Sequence, residues 1–168
     1  VLSQSDRRRD DATGVCIRIR ALPSSTAATE GWPRVLRFNG YGDYQRLKGA
    51  MAKILAEATG LPHSLPEVAV NEALANAMEC RDGVPRQHTA RVKVNLFGRR
   101  LVVRVRTSRI GFAGNALLRR LRSHPEELFD FGEDAAMGRG IPIMLSTTDR
   151  MYYNSEGTEV LLAWRLKQ

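Results

Sequence analysis

Between Leu65 and Glu79 apolar and polar positions recur with a helical period. Val70, Leu74, Ala77 and Met78 fall at i, i+4, i+7 and i+8, one stripe suited to lying on a sheet. Glu72 and Asn76 fall on the opposite side, one turn apart. Ala69 and Ala73 flank that pair, and side chains so short leave room for a ligand to reach the carboxylate and the amide together. Mg²⁺ takes hard oxygen ligands and draws few of them from protein, so a carboxylate and an amide at this spacing suit a magnesium–phosphate site. The same pair is equally at home on an ordinary solvated helix face.

The pattern changes along the rest of the chain. Residues 1–14 are polar and rich in Arg and Asp, and Val15 to Arg20 alternates with period two, as a strand does. A Ser/Thr/Ala-rich linker from Pro23 to Pro33 leads to a second strand, Arg34 to Phe38. Asp43 is placed to cap a helix that carries Tyr44, Leu47, Met51, Ile54, Leu55 and Ala58 on one face and stops at Gly60. Residues 90–106 predict a hairpin, Ala90 to Leu96 and Arg100 to Arg106 around Phe97-Gly98-Arg99. Both of its strands alternate: Val92, Val94, Val103 and Val105 face the helices, whereas Arg91, Lys93, Arg104 and Arg106 line the other side. That basic side is either a solvated face or a docking surface for an acidic partner. Residues 107–137 hold a basic helix-like run, Leu117 to Leu121, in a connection long enough to be a lid. Gly138-Arg139-Gly140 then opens a short helix, where free backbone N–H groups suit phosphate. Strands Arg150 to Asn154 and Thr158 to Leu166 close the chain around Ser155-Glu156-Gly157.

Composition narrows the class. The chain has 168 residues, 43% hydrophobic and 26% charged, as expected of one soluble globular domain with a short extension. No apolar run is long enough to span a bilayer and no signal-peptide pattern is present, which places the expected location in the cytoplasm without a membrane partner. Cys16 and Cys80 lack metal spacing and read as reduced thiols; His63, His88 and His124 are scattered. A net charge of +8, nearly all of it from arginine, points to acidic partners, nucleotides or nucleic acid.

Three elements in fixed order, the Glu72…Asn76 helix, the Gly138-Arg139-Gly140-Ile141 turn and Glu156-Gly157-Thr158-Glu159-Val160 before a final strand, resemble the nucleotide-binding domain shared by histidine kinases, type II topoisomerases, mismatch-repair ATPases and Hsp90 chaperones. Within that superfamily the chain is similar to the anti-sigma-factor serine kinases of bacterial partner-switching systems over residues 34–168. The resemblance implies an α+β fold: a two-layer α/β sandwich with a mixed, mostly antiparallel sheet and helices on one face, the Bergerat-type ATP-binding fold. It implies Glu72 as the general base for a substrate serine, Asn76 as the Mg²⁺ ligand, and ATP contacts at Thr107, Gly111, Gly138, Arg139, Gly140 and Thr158 under a lid of residues 113–137. Arg119, Arg120, Arg122 and Arg139 are candidates to neutralise phosphate charge. One box departs from the family's Asp-x-Gly-x-Gly: here it reads Thr107-Ser108-Arg109-Ile110-Gly111, with threonine for the aspartate and arginine for the first glycine.

Asp10-Asp11-Ala12-Thr13 ahead of the first strand resembles the last segment of bacterial metal-dependent serine phosphatases of the sporulation and stress-response type. On that resemblance residues 1–33 are the remnant of an upstream phosphatase domain; otherwise they are a disordered tail with a single strand. The partner implied for residues 34–168 is an anti-sigma-factor antagonist of the STAS type, with a sigma factor and a homodimer left open. Two functions fit the same fold: a kinase that phosphorylates the antagonist, or a module with weak or no ATP binding that captures its partner. Nucleic-acid binding through the basic sheet face is a third reading, but no aromatic residues interleave with the basic positions and no specific nucleic acid is expected.

Overall fold

A computed structural model describes residues 29–78, 88–128 and 139–167. The strand expected at Val15 to Arg20, Gly138, and residues 129–137 of the expected lid lie outside the described residues. In chain order the elements are β1 (Arg34–Asn39), α1 (Tyr41–Thr59), α2 (Leu65–Met78), β2 (Thr89–Phe97), β3 (Arg100–Thr107), α3 (Gly114–Ser123), a 3-10 turn (Pro125–Leu128), α4 (Gly140–Thr147), β4 (Arg150–Tyr153) and β5 (Glu159–Arg165). The strands form one sheet in the order β1-β2-β3-β5-β4, and every pairing among them is antiparallel. The fold is the expected α+β sandwich.

Alternation in the strands decides which face of the sheet is covered. Phe38, Ala90, Val92, Val94, Leu101, Val103, Val105, Met151, Val160, Leu162 and Trp164 are buried and share a core with Met51, Leu55, Val70, Leu74 and Met78 of α1 and α2. The β2–β3 turn is tighter than expected. Phe97 pairs with Arg100, so Phe97 belongs to β2 and the turn is Gly98-Arg99, with Gly98 at φ 55°, the conformation a two-residue hairpin turn requires.

Two expectations about the helices are corrected. The first concerns Asp43, which is not the cap of α1. The helix begins at Tyr41, two residues earlier, which leaves Asp43 inside its first turn. There the carboxylate accepts from the Asn39 N–H at 2.9 Å and pairs with Arg46 at 2.9 Å; these contacts, Arg46 first, hold its pKa below the usual carboxylate value. A negative group in the first turn also complements the helix dipole. Gly60 ends α1 as expected, at φ 73° with its N–H on Ala56 O at 2.8 Å.

The second concerns Ala69 and Ala73, which do not open a path beside Glu72 and Asn76. They are 0% and 4% exposed, because α2 packs on the sheet and on α4 at once. Their small side chains allow a second element to come close.

Near one end of the sheet, backbone packs directly on backbone. A Cβ on Gly111 would fall 1.7 Å from Glu156 O, and one on Gly157 would fall 1.8 Å from Phe112 O; Gly157 also sits at φ 67°. Neither neighbour is a side-chain end that can swing away. Gly111→Ala and Gly157→Ala are each expected to cost roughly 2 kcal/mol or more, read from the midpoint of urea unfolding. Gly49→Ala, in the exposed interior of α1 with open space around it, is expected to stabilise by about 0.5–1 kcal/mol in the same assay.

Candidate functional site

Asn76 is the residue at which the expected site residues meet. Its side chain lies against the start of α4: a Cβ on Gly140 would fall 2.8 Å from Asn76 Nδ2 and 2.9 Å from Oδ1. Glycine at 140 therefore makes room for the amide at a helix N-terminus, where backbone N–H groups point outward. Arg139 precedes Gly140 as the N-cap residue of α4, with an exposed side chain.

Glu72 lies one turn before Asn76 on α2, half-buried. Its charge is felt by Tyr44 of α1, whose hydroxyl pKa is raised by burial first and then by Tyr41 and Glu72. Asn76, one turn on, has its amide against α4 at Gly140.

A second group gathers where β3 ends. The Thr107 hydroxyl donates to Ala77 O at 3.3 Å and accepts from the Arg109 N–H at 3.1 Å. The Arg109 guanidinium donates a short hydrogen bond to Asn76 O. Both side chains are thereby turned onto carbonyls in the last described turn of α2. The backbone N–H of Thr107 donates to Thr158 O at 3.0 Å. Thr158 belongs to the β4–β5 turn, which Asn154 organises: Asn154 Oδ1 accepts from the N–H groups of Thr158 and Glu159 at 2.8 and 3.0 Å, and its Nδ2 donates to the Thr158 hydroxyl at 3.0 Å. Gly111 lies on that turn as described above. The structure therefore brings Asn76, Arg139 and Gly140 together, with Glu72 a turn away. Thr107, Gly111 and Thr158 form a neighbouring group, joined to the first through the Asn76 backbone.

The first part of the expected lid is a packed helix. Asn115 exchanges two hydrogen bonds with the Tyr153 backbone, at 2.7 and 2.9 Å, and Gly114 is pressed on the Tyr153 ring. Arg122 donates to Met151 O at 3.0 Å and Arg120 pairs with Glu127 at 2.7 Å, so these two arginines have structural partners. Arg119 is exposed. Sequence reading missed the bracing role of Arg109 and the anchoring role of Asn115. Both contacts link residues more than 30 positions apart, and no local pattern signals them.

Chemically, the Asn76 amide offers one hard oxygen, the start of α4 offers backbone donors, and Glu72 offers a half-buried carboxylate. This set suits an anionic ligand with a hard cation and a hydroxyl to be deprotonated. Among the described residues no three His, Cys, Asp or Glu side chains converge on one point, so a divalent ion here would draw on the amide and on oxygens of the ligand itself. No helix among the described residues is long and apolar enough to cross a membrane.

No curated protein matches the chain. A family profile described as the histidine kinase-like ATPase domain matches residues 45–164, from α1 through β5, and so takes in both groups of site residues. By that match over most of its length, the chain belongs to the histidine kinase-like ATPase domain family.

Proposed function

We propose that this domain is the regulatory serine/threonine kinase of a bacterial partner-switching pathway, using ATP and Mg²⁺ to phosphorylate an anti-sigma-factor antagonist of the STAS type in the cytoplasm. The observation that carries the reading is the Asn76 amide held against Gly140 at the start of α4, with Glu72 one turn away, in a chain of the ATPase family. Glycine at 140 leaves the Asn76 amide its place at the start of α4, since any side chain there would collide with it.

Asn76 Oδ1 would ligate Mg²⁺, and the α4 N–H groups, with Arg139 and Gly140, would hold phosphate oxygens. Bound Mg²⁺-ATP supplies the phosphoryl group and a cation that neutralises its charge. Glu72 takes the proton from the substrate serine hydroxyl, which leaves the oxygen able to attack. Catalysis of this type rests mainly on positioning, and Asn76 is positioned from both ends: its amide by α4 and its carbonyl by Arg109. A sigma factor and a second copy of the domain are further partners in this proposal.

Arg109 and Thr107 favour a second reading, a binding module that captures its partner with little or no ATP bound. Both side chains are committed to α2 carbonyls, whereas a carboxylate at 107 would present acceptors to an adenine amino group.

Calorimetric titration of Mg²⁺-ATP into the protein separates the two readings. The kinase reading expects binding below millimolar nucleotide. Heat absent at millimolar concentration, and restored by Thr107→Asp combined with Arg109→Gly, establishes the binding module instead. Glu72→Ala is expected to lower phosphate transfer to the antagonist about 10²–10⁴-fold while nucleotide affinity stays nearly unchanged; undiminished transfer removes Glu72 from the base role. Gly140→Ala is expected to displace the Asn76 amide, the end of a flexible side chain, so nucleotide affinity falls while the unfolding midpoint moves little, in contrast to Gly111→Ala.

A further inference from the structure

The helices cover one face of the sheet, and on the other face the strand register gathers positive charge. Arg37, Arg91 and Arg106 stand side by side across β1, β2 and β3, and Lys93 and Arg104 form the next pair, two residues along each strand. Side chains directly opposite on neighbouring strands are about 5 Å apart at Cβ, and like charges at that separation repel. No ion pair to any of these five is present among the described residues; Glu159, opposite Arg106, is the acidic side chain closest in register. Apolar residues flank the block on both sides of the Lys93–Arg104 pair and in the next row. Val35 pairs with Lys93, Leu161 lies between Arg104 and Tyr152, and Val102 pairs with Ala163. Val35 and Tyr152 are 39% and 42% exposed.

We infer that this face is a docking surface for a protein that presents an acidic cluster beside apolar residues. Charge complementarity selects that occupant: five cations in two adjacent rows, with no ion pair among the described residues, meet a carboxylate cluster with forked arginine contacts, and the apolar residues alongside supply an apolar core. A second copy of the chain does not fit, since it would set one cation block against another. Nucleic acid fits poorly. Tyr152, the aromatic ring beside the block, has the Arg122 guanidinium over it at 5.9 Å and its hydroxyl accepts from Arg150 at 3.4 Å, so it is not a free stacking platform. A lipid surface fits poorly as well: the apolar residues lie on a flat sheet, without the protruding amphipathic helix that inserts at a bilayer. The surface lies on the layer opposite Asn76 and Gly140, and its role holds whether or not that site turns over ATP.

The test uses the whole chain and three labelled probes followed by fluorescence anisotropy or co-sedimentation: a peptide of mixed glutamate and leucine, a random DNA duplex, and vesicles containing phosphatidylserine. The peptide is expected to bind more tightly than an all-glutamate peptide of equal charge. Arg91→Glu and Arg104→Glu, made separately, are each expected to weaken its binding at least tenfold. The unfolding midpoint in both variants should stay level or rise, because each change turns a repulsive cross-strand pair into an attractive one. Lys53→Glu, the same charge change on an exposed position of α1, is expected to alter binding less than threefold. Unchanged binding in both sheet variants overturns the inference, as does an equal loss in Lys53→Glu. Tighter binding of the duplex or the vesicles than of the peptide also overturns it, and in that case the duplex or the lipid surface is the occupant.

Discussion

Burial of α2 between the sheet and α4 is the constraint on which the rest depends. Val70 and Leu74 are fully buried and Met78 nearly so, and burial of each such side chain contributes about 1.5–3 kcal/mol relative to exposure. Ala69 and Ala73 contribute little area, yet their size lets α4 come close. With these two sides covered, Glu72 and Asn76 remain half-exposed, Asn76 with its amide at the start of α4. The chemistry of the site follows from how the helix is packed.

Helix burial sets the line of α2, and the connection after β3 fixes its last described turn. Thr107 and Arg109 reach the carbonyls of Ala77 and Asn76, and the chain from Gly111 to Phe112 rests on the Glu156–Gly157 turn at backbone contact distance. A strand end, a turn and a helix are thus held in one arrangement, and Asn76 belongs to both of the groups that result. The residues that depart from the family's glycine box are the ones that make this bracket, so the same two side chains hold the turn of α2 to which Asn76 belongs.

Much of this was legible in the sequence where a single period governs a segment. The α2 stripe, the β2–β3 alternation, the stop at Gly60 and the closing strand pair all follow from local repetition, and the order of motifs carried the superfamily. Local rules failed where a contact crossed the chain. Asp43 has the chemistry of a cap, but the helix starts earlier, at Tyr41. Ala69 and Ala73 look like empty surface in a helical projection, which does not show α4 arriving from 70 residues downstream. Arg109 reads as a substitution in a glycine box, and only the folded chain shows that its guanidinium rests on the Asn76 carbonyl.

The last strand carries a feature with optical meaning. Trp164, 7% exposed, donates its indole N–H to Thr147 O at 2.7 Å, which ties β5 to the final residue of α4. The helix whose first residue meets the Asn76 amide therefore has its other end joined to a buried chromophore. A rigid displacement of α4 at the ligand end alters the polarity and hydrogen bonding around that indole. Trp164 emission is thus tied to the position of α4, with Trp32, partly buried ahead of β1, as the background emitter to remove.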